Sequence, residues 1–127
     1  MDITQLIAAK QLGVSDEDLQ QYPENSLNNA LYKLFWQNKD KNFAQRVLYP
    51  ESSPTLDMGN GNYATHLMMN AGNYIFPSVV QMPGNDFLSM LSPDEAMNYA
   101  KSSGEAMALP GDESADWVAR NYKRLWR

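Results

Sequence analysis

Residues 62–81 read NYATHLMMNAGNYIFPSVVQ, the one long region of the sequence with the pattern of paired β-strands. It holds two runs rich in aromatic, branched and flexible apolar side chains, 63–69 and 74–82, separated by Asn70-Ala71-Gly72-Asn73. Asn and Gly adopt positive φ at little cost, so a short turn there lets the two runs pair antiparallel. The stretch therefore predicts a β-hairpin.

A second turn signal lies just upstream, at Gly59-Asn60-Gly61-Asn62. Asn-Gly is the dipeptide that best fits a tight hairpin turn. Residues 55–58 would then form a short first strand, and we predict an antiparallel meander of about three strands. Because helical patterns lie on both sides, the predicted fold class is α+β, a small β-meander packed with N-terminal and C-terminal helices.

Side chains of the second apolar run alternate between the two faces of the predicted sheet. Tyr74 and Phe76 share one face, Ile75 and Pro77 share the other, and neither face is polar. We therefore expect both faces to be covered, one by the helices and the other by a partner. Pro77 has no N–H, which predicts an edge or a bulge, and an open edge could accept a strand from another chain.

Six helices are predicted from apolar side chains at helical spacing and from capping residues. They cover residues 3–12, 15–22, 26–36, 43–48, 93–103 and 112–126. Pro23 is expected to end the second helix, and Ser26 is expected to cap the third.

The composition is that of one globular domain. A chain of 127 residues is long enough for one core and short for two. We predict a single domain, 1–127, in which 1–41 form a helical N-terminal extension and 42–127 form an α+β module. The net charge of −5 argues against nucleic acid as a partner, and the absence of cysteine excludes disulfides and thiolate chemistry.

Membrane insertion is not expected. No apolar run approaches the ~20 residues that span a bilayer. The N-terminus also lacks the basic and apolar regions of a signal peptide. We expect a protein that folds in a cytoplasm and has no membrane partner.

Residues 8–15, AAKQLGVS, followed by Leu19, resemble the core of a helix-turn-helix. The would-be recognition helix, however, carries Asp16, Glu17 and Asp18, which DNA phosphates would repel. We therefore interpret this region as a helical hairpin that serves packing.

No catalytic constellation is evident in the sequence. A triad around His66, the only histidine, would need Ser78 and Asp57, which nothing beyond their presence supports. Asp94-Glu95 and Asp112-Glu113 fit the acidic first turns of helices, and no metal-ligand spacing occurs. We predict a non-enzymatic protein with no cofactor, no metal and no catalytic residue.

Several short segments carry a resemblance through their order and spacing. They are NFAQRVLYP (42–50), THLM (65–68), YIFPSVV (74–80), Glu95-Ala96, Gly104, ADWVA (115–119), Tyr122-Lys123 and Trp126. Together they resemble a small module of tailed-bacteriophage virion-associated and large polyvalent proteins. In those proteins the module accompanies other domains, whereas here a helical extension precedes it.

The resemblance implies a structural or virion-assembly protein that docks onto other virion proteins. It would reside in the virion, and in the host cytoplasm before assembly, with a homo-oligomer such as a ring as one arrangement. Candidate partner-binding residues are Tyr74, Phe76, Pro77, Val79, Trp36 and Trp126. Two alternatives stay open, a small acidic inhibitor that binds a host enzyme and an enzyme that acts on the cell wall.

Overall fold

A computed structural model of the chain describes residues 2–59, 62–64 and 67–126. Among these residues its helices are α1 (Ile3–Gln11), α2 (Asp16–Gln21), α3 (Pro23–Gln37), α4 (Asn42–Leu48), α5 (Pro93–Ser103) and α6 (Asp112–Asn121). Its strands are β1 (Leu56–Gly59), β2 (Asn62–Ala64), β3 (Met68–Ala71), β4 (Tyr74–Pro77), β5 (Val79–Val80), β6 (Ser89–Met90) and β7 (Met107–Ala108). Short 3₁₀ helices cover Pro50–Ser52 and Tyr122–Trp126. The predicted α+β class is confirmed.

The β3–β4 hairpin forms where the sequence predicts it. Ala71 pairs with Tyr74 across the turn Gly72-Asn73. Gly72 has a φ of 57°, which glycine adopts without steric cost. β7 pairs antiparallel with the other side of β4, which gives a three-stranded sheet in the order β3-β4-β7.

The third strand of this sheet is not the one that the meander predicts. β1 pairs antiparallel with β2, as the meander predicts, but the two strands form a separate sheet. Asn60 and Gly61 lie outside the described residues. Asn73 fastens β7 beside β4 instead, because its carbonyl accepts from the Leu109 N–H (2.7 Å) and its Nδ2 donates to the Leu109 carbonyl (3.0 Å). The expectation of a small three-stranded sheet is confirmed, and the identity of its third strand is corrected.

Pro77 lies in the central strand, beyond the point where β7 pairs. β7 pairs with the first two residues of β4. The Ser78 N–H donates to the Leu67 carbonyl (2.9 Å), so in the next pair, Met68 with Pro77, the backbone polar groups point away from each other. The missing N–H of Pro77 therefore faces the side past the end of β7. β4 is therefore a central strand at Tyr74 and Ile75, where β7 pairs with it. Only its last part, which includes Pro77, is an edge of the sheet, as predicted.

The apolar run 74–82 does not continue as one strand. The backbone leaves the sheet at Ser78, whose carbonyl accepts from the Leu91 N–H (2.8 Å). Val79 and Val80 then pair with β6 in a separate two-stranded ladder. Both valines are buried.

One hydrophobic core joins both ends of the chain. Helix α1 packs against α6, and α3 packs against α2 and α4. The buried residues of this main core are Ala8, Ala9, Leu19, Leu27, Leu31, Phe35, Phe43, Ala44, Val47, Ile75, Met107, Leu109, Ala115, Trp117, Val118 and Tyr122. No helix in the described part of the chain is long and apolar enough to cross a membrane.

The two faces of β4 belong to different clusters. Ile75 lies in the main core, whereas Phe76 packs with Ala96 and Ala100 of α5 in a second, smaller cluster. Both faces are thus at least partly covered, as expected. The second face is covered by the chain's own α5, where we expected a partner.

A capping serine starts helix α2, and a proline starts helix α3. The Ser15 Oγ accepts from the Asp18 N–H (3.1 Å), which starts α2 as predicted. Helix α3 begins at Pro23, ahead of the predicted start, because proline fits the first helical turn. Ser26 therefore lies inside α3, where its hydroxyl donates to the Asp18 carbonyl (3.3 Å).

A side chain from α1 caps helix α6. The Ser114 N–H donates to Oε1 of Gln11 (2.9 Å), which satisfies a backbone donor that the first turn leaves open. Gly111 leaves room for this contact, since a Cβ at that position would lie 2.5 to 2.7 Å from the Gln11 amide. The contact joins helices α1 and α6, whose residues Gln11 and Ser114 are far apart in sequence.

Candidate docking groove

A half-open groove of about 550 Å³ lies between α5 and the second face of the sheet. Its volume falls in the range of ordinary ligand-binding clefts. Its lining residues are Ala71, Tyr74, Phe76, Met97, Ala100, Lys101, Gly104 and Ala106. We call this feature the α5 groove.

The periods of strand and helix bring these residues to one side. Tyr74 and Phe76 are two positions apart in β4, so they share a face of the sheet. Ala71 faces Tyr74 across the hairpin. Met97 and Lys101 are four positions apart in α5, so they share a face of that helix.

The groove exists because half of its lining is small. Ala71, Ala100, Gly104 and Ala106 carry at most a methyl group, and they are four of the eight lining residues. Larger side chains at these positions would fill the space between α5 and the sheet, as they do in a close-packed interior. The second face of the sheet therefore keeps an opening to solvent.

The groove has an apolar floor and a mixed rim. Phe76 is only 3% exposed and forms the floor, whereas Tyr74 is 51% exposed. Lys101, which is also exposed, is the charged member of the lining. Exposed tyrosine beside a recessed apolar surface is typical of positions that contribute strongly to protein–protein binding.

The Glu105 carboxylate holds the segment that follows α5, at one end of the groove, against helix α4. Gly104 ends α5 with a φ of 78°. The next residue, Glu105, accepts hydrogen bonds from the backbone N–H groups of Asn42 and Phe43 (both 3.2 Å). These groups belong to the N-terminus of α4, where negative charge is favoured. Glu105 therefore ties the α5 groove to the helices of the main core.

A buried arginine extends this connection. Arg46 is 2% exposed. Its Nε donates to Oδ1 of Asn42 (2.9 Å), and its Nη1 donates to the Val79 carbonyl (2.8 Å). Burial lowers the pKa of Arg46 to about 10, and the negative charge of Glu105 opposes that shift. The guanidinium is therefore charged at neutral pH and holds α4 to the backbone that follows β4.

The side chains of the groove suit apolar contact. Its lining residues, among those that the structure describes, include no carboxylate, histidine or cysteine. The residues that the structure describes contain no group of three or more such side chains placed to hold a metal ion. His66 lies outside the described residues.

The structure brings two of the sequence candidates together in the groove and buries two others. Tyr74 and Phe76 are lining residues. Val79 is 0% exposed, and Pro77 is also buried. Neither Pro77 nor Val79 is among the lining residues of the groove.

Trp36 is not among the lining residues of the groove. Trp36 is 41% exposed on α3, where its ring stacks with Tyr32 at 6.2 Å between centroids. The Lys39 amine lies 4.0 Å from the centre of the Trp36 ring. Nothing is described for the side chain of Trp126.

The helical wall of the groove was not among the sequence candidates. A signal for it exists in the spacing of Ala96, Ala100 and Gly104, which places a small residue on one face of α5 at every turn. Small residues at this spacing indicate that another element approaches closely. They do not by themselves indicate that the approach leaves an opening.

Comparison of the chain with protein-family models, with curated proteins and with solved structures gives no match.

Proposed function

We propose that this protein is a non-enzymatic structural or assembly subunit of a tailed-bacteriophage particle. In this proposal the α5 groove receives an apolar side chain from another virion protein. The observation that carries the docking role is the groove itself, an apolar recess with a buried Phe76 floor and an exposed Tyr74. Residues of this kind supply much of the binding energy at protein interfaces.

The phage assignment rests on the sequence resemblance. Its segments include Phe76 and Gly104, which line the groove, and Ala96, which packs beneath it. The NFAQRVLYP segment supplies Arg46 and Asn42, which hold α4 to the same region. The residues of the resemblance thus support the groove, which is why we propose that the groove carries the function.

Photocrosslinking during phage production tests the proposal. Benzoylphenylalanine in place of Tyr74 should crosslink the chain to a virion protein, because this position is on the groove and exposed. The matched control is the same replacement at Tyr22, which is 59% exposed and does not line the groove. Mass spectrometry of the crosslinked species identifies the partner.

A Tyr74 crosslink to a capsid, portal or tail protein, absent for Tyr22, would support the proposal. A Tyr74 crosslink to a host enzyme alone would contradict the virion role and favour the inhibitor alternative. Equal crosslinking from both positions would contradict the docking role of the groove.

A further inference from the structure

Helix α1 turns its small side chains inward and its large ones outward. Ala8 and Ala9 are 0% exposed and face α6, whereas Ile3 is 74% exposed, Leu6 38% and Ile7 39%. With a period of 3.6 residues, these three aliphatic side chains lie on the opposite side of the helix from the alanines. We call Ile3, Leu6 and Ile7 the α1 stripe. A contiguous exposed apolar stripe of this kind indicates an interaction surface.

A hollow of about 350 Å³ between α1 and α2 continues the stripe. Leu6 belongs to both, and Leu19, which is 8% exposed, gives the hollow an apolar wall. The other lining residues are Lys10, Asp16 and Gln20. A ridge of aliphatic side chains next to an apolar hollow fits the groove mode of helix recognition, in which a partner helix inserts side chains one turn apart.

The charge around this surface is negative. Residues 1–22 hold four carboxylate side chains and one lysine. That lysine, Lys10, is already paired with Asp16 at 2.9 Å. Glu17 and Asp18 stand exposed in the first turn of α2. A second copy of the same surface, or an anionic lipid surface, would meet like charge, whereas a basic partner would be attracted.

We infer that the α1 stripe and the adjoining hollow bind an amphipathic helix of a partner protein. That helix presents apolar side chains at i, i+3, i+4 and i+7 and carries Lys or Arg along its edges. This inference does not depend on the α5 groove or on a virion role. It gives the protein a second docking surface built from different elements.

A displayed library of helical peptides tests the inference with the full chain as bait. Each peptide has a fixed apolar stripe and edge positions randomised among Lys, Glu and Gln. We expect the selected peptides to be enriched in Lys at the edges. We also expect them to bind the Ile3→Ser/Ile7→Ser variant at least about tenfold more weakly, a difference of about 1.4 kcal/mol in binding free energy.

The matched control is Phe87→Ser, which removes an exposed apolar side chain (55% exposed) outside α1. It should leave peptide binding unchanged. Circular dichroism should show that the stripe variant is folded, as expected because both isoleucines are exposed. Glu17→Gln should weaken the Lys-rich peptides and not their Gln-edged versions.

Three results would overturn the inference. The first is selection of peptides with Glu-rich edges or with no charge preference. The second is equal binding of the selected peptides to the wild-type chain and to the stripe variant. The third is a wild-type dimer in sedimentation velocity that the stripe variant dissociates, because the surface would then bind a second copy.

Discussion

The two faces of β4 differ in how completely they are covered. Ile75 faces a main core that includes Phe35 and Phe43, both 0% exposed. Phe76 faces α5, which contributes alanines and leaves a groove. A face that is fully closed serves the stability of the fold. A face that is left partly open keeps apolar surface within reach of another molecule.

Alanine at each of the two positions measures this difference. Ile75→Ala leaves a closed cavity in the main core and should lower the free energy of unfolding by about 4 kcal/mol. Phe76→Ala removes a larger side chain, but its space opens into the groove and can fill with water, so we expect a smaller loss of about 3 kcal/mol. Urea denaturation gives both values. A clearly larger loss for Phe76→Ala would mean that the second face is closed as tightly as the first.

Arg46 connects helix α4, which belongs to the main core, to the backbone that follows β4. Arg46→Met removes the donor to Asn42 and to the Val79 carbonyl and also removes the positive charge that interacts with the charge of Glu105. We expect a loss of about 3 kcal/mol in the free energy of unfolding. Arg120→Met is the control, because Arg120 pairs with Asp116 at the surface, and its loss should stay within about 0.5 kcal/mol. Equal losses in the two variants would contradict a structural role for the buried arginine.

The pKa of the Tyr122 hydroxyl reports how well the main core excludes water. Burial raises the pKa of its hydroxyl above the ordinary value of about 10. The unfolded chain loses this proton first, so the contribution of Tyr122 to stability is complete below pH 10 and falls as pH rises above it, by up to about 1.4 kcal/mol per pH unit. Tyr122→Phe should therefore show a flatter decline in unfolding free energy just above pH 10. Identical slopes would show that this hydroxyl is not protected from water.

The link between α1 and α6 tests one edge of the main core. Gln11→Ala removes the cap on Ser114, and Gly111→Ala displaces the same amide group. Each change should lower the free energy of unfolding by about 1 kcal/mol. The double variant should lose about as much as either single one, since both remove one contact. Thermal denaturation measures the three variants, and strictly additive losses would argue against the shared cap.

Filling the α5 groove should have the smallest effect on stability. Ala106→Leu places a branched side chain in the opening, and we expect a gain of about 0.5 kcal/mol in the free energy of unfolding. Ala30→Leu is the matched control, because Ala30 lines a separate hollow of about 210 Å³. A large loss of stability in Ala106→Leu would show that the space is not open to a side chain.

Local signals in the sequence were sufficient to predict the hairpin. Gly72-Asn73 forms the turn between two apolar runs, and every interaction that defines it lies within a few residues. Capping of α2 by Ser15 and the end of α5 at Gly104 are local in the same sense. Elements of this kind follow from residue type and spacing.

Long-range pairing was not predictable in the same way. The third strand of the sheet depends on Asn73 bonding to Leu109, which is far away in sequence. Residues 55–58 lie at a strand that pairs with the start of the 63–69 run, as the meander predicts, but this hairpin is separate from the three-stranded sheet. The sequence does not show that the run divides between two sheets or that β7 becomes the third strand.

The groove depends both on local sequence signals and on long-range packing. Tyr74 and Phe76 could be named from the alternation of the strand, whereas Pro77 and Val79 could not be recognised as buried. Arg46 lies three positions after Phe43 and one before Val47, so the helical period could have predicted its place on the buried side of α4. The opening itself was not, because it depends on how far α5 stands from the sheet.

Copy number in purified phage particles tests the central claim, that the α5 groove docks this chain onto a virion protein. Quantitative mass spectrometry would count wild-type, Ala106→Leu and Ala30→Leu chains against the major capsid protein. We predict that Ala30→Leu is incorporated at the wild-type level and that Ala106→Leu falls to about a tenth or less, which requires a loss of at least about 1.4 kcal/mol in binding free energy. Incorporation of a folded Ala106→Leu chain at the wild-type level would contradict docking through the α5 groove.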